Sequence, residues 1–239
     1  RIRDVLSVNA SYRRAEYSTG PKTDSMGFGI EWGPVREFRL RGSYQEASRA
    51  ADVIQLFAAV SPGLYNMNAD PCGPTRTATA AQCARTGLAA DRYGSADLDS
   101  PAGQYNGIFG GNASLQPEKS KSSTVGMVFT PMRNLSATID YYNIKIDKTI
   151  GATPPQTILA QCLETGSPTF CSLITRDRLG TLWALPAAAI IATNLNLGKL
   201  GTSGIDFGVN YKHGLSGYGG LEWSFNGTLA REFLQEPIP

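Results

Sequence analysis

The chain has 239 residues, 41% of them hydrophobic and 18% charged, which is enough for one large folded domain and diagnostic of no fold class. A net charge of +2, with basic residues scattered rather than clustered among aromatics, argues against nucleic acid as a partner. No apolar run approaches the roughly 18 residues of a membrane helix; the longest candidate, 187–192, follows Pro186, so any membrane crossing would be made by strands.

In chain order, the first predicted strand places Leu6, Val8, Ala10 and Tyr12 on one face and Ser7, Asn9 and Ser11 on the other, a period of two that no helix produces. A polar hairpin over 13–22 leads into the second, with Met26, Phe28, Ile30 and Trp32 against Gly27, Gly29 and Glu31. Gly33 and Pro34 make a tight turn, because Pro presets a turn dihedral and lacks a ladder donor. The third strand sets Phe38, Leu40, Gly42 and Tyr44 against Glu37, Arg39, Arg41 and Ser43. A connection over 45–118 follows, far longer than a compact soluble domain tolerates. The fourth strand carries Val125, Met127 and Phe129, and a tight turn at 131–134 opens the fifth, with Leu135, Ala137, Ile139 and Tyr141 opposing Ser136, Thr138 and Asp140. Its far end, 142–146, alternates less cleanly. A second long connection, 148–201, includes a short helical stretch expected at 157–163. The sixth strand is the clearest, Ile205, Phe207, Val209 and Tyr211 against Asp206, Gly208, Asn210 and Lys212. After a turn at 213–217 the seventh offers Leu221, Trp223, Phe225 and Leu229 against Glu222, Ser224, Asn226 and Thr228.

Connections that alternate short and long suit a membrane-spanning β-barrel, whose turns stay tight on one side of the bilayer while loops grow on the other. Trp32, Phe129 and Tyr211 fall near the short-turn ends and Tyr12 and Tyr44 near the long-loop ends, as two aromatic girdles would. Glu31, Arg39, Arg41, Asp140, Asp206, Lys212 and Glu222 share the polar face, too many charges for a sealed apolar core, so that face must meet water or a polar filling. The expected fold class is therefore all-β, an antiparallel transmembrane β-barrel fragment of about seven strands with short periplasmic turns and long extracellular loops. Seven strands cannot close a barrel, since the smallest have about eight. Alternation alone also fits a soluble sheet with one buried face; that reading requires a second protein layer over Met26, Phe28, Leu221 and Trp223. Beginning at Arg1 without a leader and ending at 236–239 without a recognisable stop, the chain is expected to be an internal piece of a longer one.

The four cysteines fall as two local pairs, Cys72 with Cys83 and Cys162 with Cys171, which suggests two small disulfide loops in an oxidising compartment. Zinc is the weaker alternative, because neither pair has CxxC spacing and His213 is the only histidine. No catalytic signature emerges. His213 sits in a predicted turn, no GxSxG elbow or phosphate-binding loop occurs, and Gly27 and Gly29 read as small strand residues. Asp97 and Asp99 lie in a Ser- and Gly-rich loop where acids are simply solvated. Neither an enzymatic activity nor a cofactor is expected.

Two segments go beyond pattern: residues 41–57 (RGSYQEASRAADVIQLF) and 110–120 (GGNASLQPEKS). They resemble the β-barrel of TonB-dependent outer-membrane receptors, where an R-A-P-x-x-x-x-L-(F/Y)-like segment leads through an outer loop to G-N-P-x-L-x-P-E-x-S. Ala51 and Ala113 stand where the family usually has Pro. The resemblance continues through 135–146 (LSATIDYYNIKI) and through 194–211, with an Asn near the loop end and a strand start at Gly204-Ile205-Asp206.

The resemblance implies active uptake across the outer membrane of a Gram-negative bacterium. Such receptors bind a scarce extracellular ligand, commonly a siderophore, cobalamin or an oligosaccharide. A plug domain fills a barrel of roughly twenty-two strands, and the TonB complex pulls on that plug. The expected partners are outer-membrane lipid, the plug of the same parent chain, the TonB complex through that plug, and the small-molecule ligand. The charged inner face would meet the plug. This segment holds neither plug nor terminal strand and by itself should transport nothing. Tyr65, Tyr93, Tyr105, Phe109 and Trp183 are candidate ligand contacts, since aromatics in long loops suit recognition; the alternative is that they pack the loops together. The rival classes are a passive porin or adhesin-like barrel and a soluble secreted β-protein that binds or cleaves a polymer.

Overall fold

The computed structural model describes residues 5–217 and 219–236. In chain order the elements are β1 (Leu6–Glu16), β2 (Lys22–Val35), β3 (Phe38–Arg49), α1 (Val53–Phe57), β4 (Ser61–Asn66), α2 (Ala80–Ala84), β5 (Gln104–Phe109), β6 (Glu118–Met132), β7 (Leu135–Ala152), α3 (Pro155–Thr165), α4 (Pro168–Cys171), β8 (Ile174–Thr175), β9 (Ala189–Ile191), β10 (Asn194–Leu215) and β11 (Gly219–Glu236). They fall into two compact units. The first takes the described residues of Arg1–Ala51, Gln116–Ile150 and Asn196–Pro239, and the second takes Asp52–Leu115 and Gly151–Leu195.

The first unit is a seven-stranded sheet in the order β1-β2-β3-β6-β7-β10-β11, and it is not closed. The observed pairings β1–β2, β2–β3, β3–β6, β6–β7 and β10–β11 are antiparallel, and their register carries the alternation from strand to strand. Leu6, Trp32, Leu40, Met127 and Ile139 stand in one row, and Val8, Ile30, Gly42, Val125 and Tyr141 in the next. A slip of one residue in any pair would turn a strand's apolar set to the other face, so the pattern itself specifies the register. On β10 and β11 the same rule pairs Val209 with Phe225 and Tyr211 with Trp223, and a shift between Ser203 and Gly204 bends the far end.

Among the described residues the apolar face has no protein cover. Met26 and Phe28 are each 50% exposed, Trp223 is 64% and Phe225 65%. Among the described residues every buried apolar side chain belongs to the second unit. Among the described residues the second protein layer that a soluble reading requires is not found.

The strands overrun their sequence-derived bounds. β1 and β2 continue to Glu16 and from Lys22, leaving only a tight turn of residues 17–21 where a polar loop over 13–22 was expected. Its Tyr17 amide donates to the Pro21 carbonyl at 3.1 Å, and Gly20 takes a φ of +104° that disfavours a side chain. β3 runs to Arg49, β6 starts at Glu118, β7 continues through the irregular stretch to Ala152 and β10 begins at Asn194. The extensions of β1, β3 and β6 are mostly polar, so apolar periodicity does not announce them, while those of β7 and β10 carry Ile144, Ile146, Leu195 and Leu197 in alternation beyond the expected bounds. Arg49 stands opposite Glu118 and donates Nε and Nη2 to its two carboxylate oxygens at 2.7 and 2.8 Å.

The second unit consists of the two long connections, and it has a core. A four-stranded sheet, β4-β5-β9-β8, packs with α2 to α4. Leu98, Tyr105, Ile158, Leu159, Leu182 and Ile190 are fully enclosed. Disulfides join Cys72 to Cys83 and Cys162 to Cys171, in the pairing expected. The expected helix at 157–163 is the middle of α3, which Pro155 opens at a position needing no amide donor and Gly166 ends in the left-handed region.

Candidate functional site

On the polar face of the large sheet the seven charged residues singled out from sequence share one side. Ser7, Glu31, Arg41, Gly126 and Asp140 form a single register row. Arg41 on β3 donates Nε and Nη2 to the two carboxylate oxygens of Asp140 on β7, at 2.7 and 2.5 Å, and so spans the intervening β6. It can do so because β6 presents Gly126 between them; a Cβ there would overlap the Asp140 carboxylate. Arg39 lies 3.6 Å from Glu31, Lys212 lies 3.3 Å from its register partner Glu222, and Asp206 accepts from Thr228 at 2.7 Å. Gly27 and Gly29 serve the same purpose as Gly126, giving room to Ser11 and Asn9. The result is a concave polar surface of about 510 Å³ lined by Asn9, Gln45, Thr124, Asp140, Tyr142 and Asp206 among others. Six of the seven charges pair with one another while Asp206 is held by the Thr228 hydroxyl, and a filling element would meet hydrogen-bonding groups throughout.

Within the second unit, the sheet β4-β5 divides the candidate aromatics. Tyr65 and Tyr105 are register partners, stacked at 5.8 Å between ring centres, and both are buried. Phe109 lies on their side of the sheet, with its ring over Gly63 and Gly107. Burial is the main cause that pushes both phenols up; at Tyr65 the charge of Asp70 adds to it and that of Arg176 opposes it, while at Tyr105 a hydrogen bond to the Ser100 amide opposes it. The rings of Tyr65 and Tyr105 are therefore structural packing in this state, not ligand-facing surface. Tyr93 is also committed, donating its hydroxyl to the Ala78 carbonyl at 2.8 Å beneath the Arg76 guanidinium.

Trp183 is on the other face of that sheet. Together with Val60, Leu64, Ile108, Leu185 and Pro186 it lines an open cleft of about 700 Å³ that carries no charged side chain. Its indole Nε1 donates to the Asp97 carbonyl at 3.1 Å, and Asn106 donates to the carbonyls of Trp183 and Leu185 at 3.2 Å each, so the wall is held in place. Leu64 and Val60 are 59% and 60% exposed. This cleft can accept an apolar or aromatic moiety.

The family-like segments prove to be ties. Asp52 and Gln55 cap α1 reciprocally. The Gln55 carbonyl accepts from the Asn112 amide at 2.8 Å and from Asn194 Nδ2 at 3.2 Å, while Asn112 Nδ2 donates to the Asn194 carbonyl at 2.9 Å. In the first unit Asn196 binds the Gln116 amide and carbonyl and the Lys148 carbonyl at 2.7, 2.8 and 3.0 Å. The deepest anchor of the second unit is an ion pair without a sequence signal. Arg176 reaches the Asp70 carboxylate at 2.7 and 3.1 Å, with side chains 1% and 0% exposed, and also donates to Thr86 Oγ1 and the Gly180 carbonyl at 2.8 Å each. Among the described residues no cluster of His, Cys, Asp and Glu has the makings of a metal site.

Residues 1–234 match the family model described as TonB dependent receptor-like, beta-barrel. Among solved structures, the siderophore receptor PirA of Acinetobacter baumannii superposes with a TM-score of 0.58 at 14% identity, over 96% of this chain and 26% of that one. PirA of Pseudomonas aeruginosa gives 0.53 at 14% identity, over 96% and 31%. A mutant of the ferric enterobactin receptor PfeA of Pseudomonas aeruginosa gives 0.58 at 14% identity, over 96% and 25%. At such identities the likeness is one of fold, and the chain spans between a quarter and a third of the length of these receptors. No curated protein matches the chain.

Proposed function

The chain belongs to the TonB-dependent receptor β-barrel family, and on that premise we propose that it is part of a Gram-negative outer-membrane receptor that binds a scarce extracellular ligand and imports it with TonB-coupled energy. The observation that carries this reading is the two-sided sheet: an apolar face, uncovered among the described residues and carried in register from strand to strand, backed by a face of mostly paired charges. Hydrocarbon accepts the first face without hydrogen-bonding demands, and closure by further strands of the parent barrel satisfies the edges of β1 and β11. The second face, with Glu31, Arg39, Arg41, Asp140, Asp206, Lys212 and Glu222, is matched to a polar plug in the lumen. In the long connections Trp183 and its apolar cleft supply ligand contact. A siderophore, a vitamin or an oligosaccharide is the cargo class; the siderophore receptors among the structural neighbours favour the first.

The test is uptake by the full-length parent receptor, expressed in a strain lacking its own receptors and supplied in turn with radiolabelled ferric enterobactin, cobalamin and a maltooligosaccharide. Saturable uptake of one of them that vanishes when TonB is deleted is the expected result. Uptake that persists without TonB points to a passive barrel, and recovery of the parent protein in the soluble fraction removes the membrane reading altogether.

A further inference from the structure

β4 is an edge strand: in the sheet β4-β5-β9-β8 it has one neighbour. The direction of its backbone groups follows from β5. The Asn106 amide donates to the Leu182 carbonyl at 2.9 Å, and the Ile108 carbonyl accepts from the Ala192 amide at 2.8 Å, so these two residues turn their peptide groups away from β4. In an antiparallel pair such residues stand opposite residues that turn outward too, and their register partners are Leu64 and Pro62. The N–H and C=O of Leu64 and the C=O of Pro62 therefore point off the edge, and none of the three has a hydrogen-bond partner among the described residues. The strip ends at Asn66, whose carbonyl accepts from Gln156 Nε2 at 2.5 Å.

The same two residues line the uncharged cleft, with Trp183 and Leu185 in its wall. Proteins commonly close an exposed edge with charged side chains, a bulge or a cover. β4 reads Ser-Pro-Gly-Leu-Tyr-Asn, with no charge, and Pro62 removes one donor while leaving its acceptor. Acceptor, donor and acceptor thus recur over one two-residue repeat of about 7 Å, beside apolar side chains at that same spacing. An extended peptide backbone meets both patterns at once: its main chain adds to the edge, and alternate side chains enter the cleft.

We propose that β4 and its cleft bind an extended, uncharged peptide segment of the cargo by antiparallel strand addition. One peptide residue exchanges both hydrogen bonds with Leu64, the residue two further on donates to the Pro62 carbonyl, and both carry aliphatic side chains turned to the cleft. This rests on the reading of the long connections as the ligand-binding part of the receptor. The probe is a rhodamine-labelled pentapeptide amide, Ser-Leu-Ser-Leu-Ser, titrated by fluorescence anisotropy into the full-length receptor in neutral detergent. Methylating both leucine nitrogens should weaken binding about 25-fold, from the roughly fivefold that each net hydrogen bond contributes. Methylating the serine nitrogens, which face away from β4 in this pairing, should change it by less than about twofold. Partition into detergent gives no such order, since either methylation makes the peptide more apolar. Bound peptide should also slow deuterium exchange of the Leu64 amide. Equal binding of the leucine-methylated peptide, or Leu64 exchange unchanged at saturation, overturns the proposal. Failure of the receptor reading shows separately, as a wild-type protein absent from the outer-membrane fraction before any peptide is added.

Discussion

Replacing Arg176 by Met should loosen the long-connection unit far more than its loss of one side chain suggests. Arg176 and Asp70 are 1% and 0% exposed, so solvent cannot screen the carboxylate left behind. Removing one partner of a buried pair costs about 3 to 5 kcal/mol, most of it the penalty of an unpaired charge. The Gly180 carbonyl loses its Arg176 donor too, and Thr86 Oγ1 loses one of its partners. Converted at 1.4 kcal/mol per decade, the lower bound is a factor of about 150 in the opening equilibrium. Hydrogen exchange of the full-length receptor in detergent reads this directly, because the Cys72 amide donates to Asp70 Oδ1 at 2.9 Å and is protected only while the unit is closed. Asp70→Asn in the same chain removes the buried charge while keeping an oxygen for Cys72, so the double variant should regain most of the lost protection. A single variant that speeds exchange less than about fivefold, or a double variant no better than the single, refutes the account.

Three further outcomes follow from the geometry. Ile30→Arg places a charge in the middle of the apolar face and should cost about 2 to 4 kcal/mol of insertion free energy, seen as poor recovery in outer membranes, whereas Thr124→Arg on the polar face should assemble normally; equal assembly of the two would contradict the assignment of faces. Gly126→Ala drives the Asp140 carboxylate away from Arg41, and should lower the thermal midpoint of the barrel's mobility shift as much as Arg41→Gln does, with the double variant no worse than either single. Replacing Cys72 and Cys83 by Ser opens a loop with a sequence separation of 11 and should remove roughly 3 kcal/mol of constraint, making the second unit sensitive to protease while the strands of the first stay resistant.

Much of the first unit was legible because one face of each strand is selected for apolar side chains, and a period of two survives reading without any knowledge of neighbours. Leu6 to Tyr12 and Ile205 to Tyr211 declare their faces from sequence, and the charged set from Glu31 to Glu222 declares the other. The disulfide pairs were legible for a different reason: each joins cysteines close in sequence, so proximity along the chain stands in for proximity in space. The candidate aromatics show where such reading ends. Tyr65 and Trp183 look alike as loop residues, yet one is sealed against Tyr105 and the other lines a cleft.

What the sequence by itself determined is the local alternation, and with it the apolar centres of the strands and their faces, since each depends on residues one or two apart. What only the tertiary structure decided is which distant side chains meet. Arg41 reaches Asp140 across Gly126, Asp70 finds Arg176 at a separation of 106 residues, and Asn112 and Asn194 lock onto the Gln55 carbonyl. Polar residues of this kind carry no periodicity, because a hydrogen bond or an ion pair rewards one geometry between two particular atoms, and that geometry exists only once the chain between them has folded.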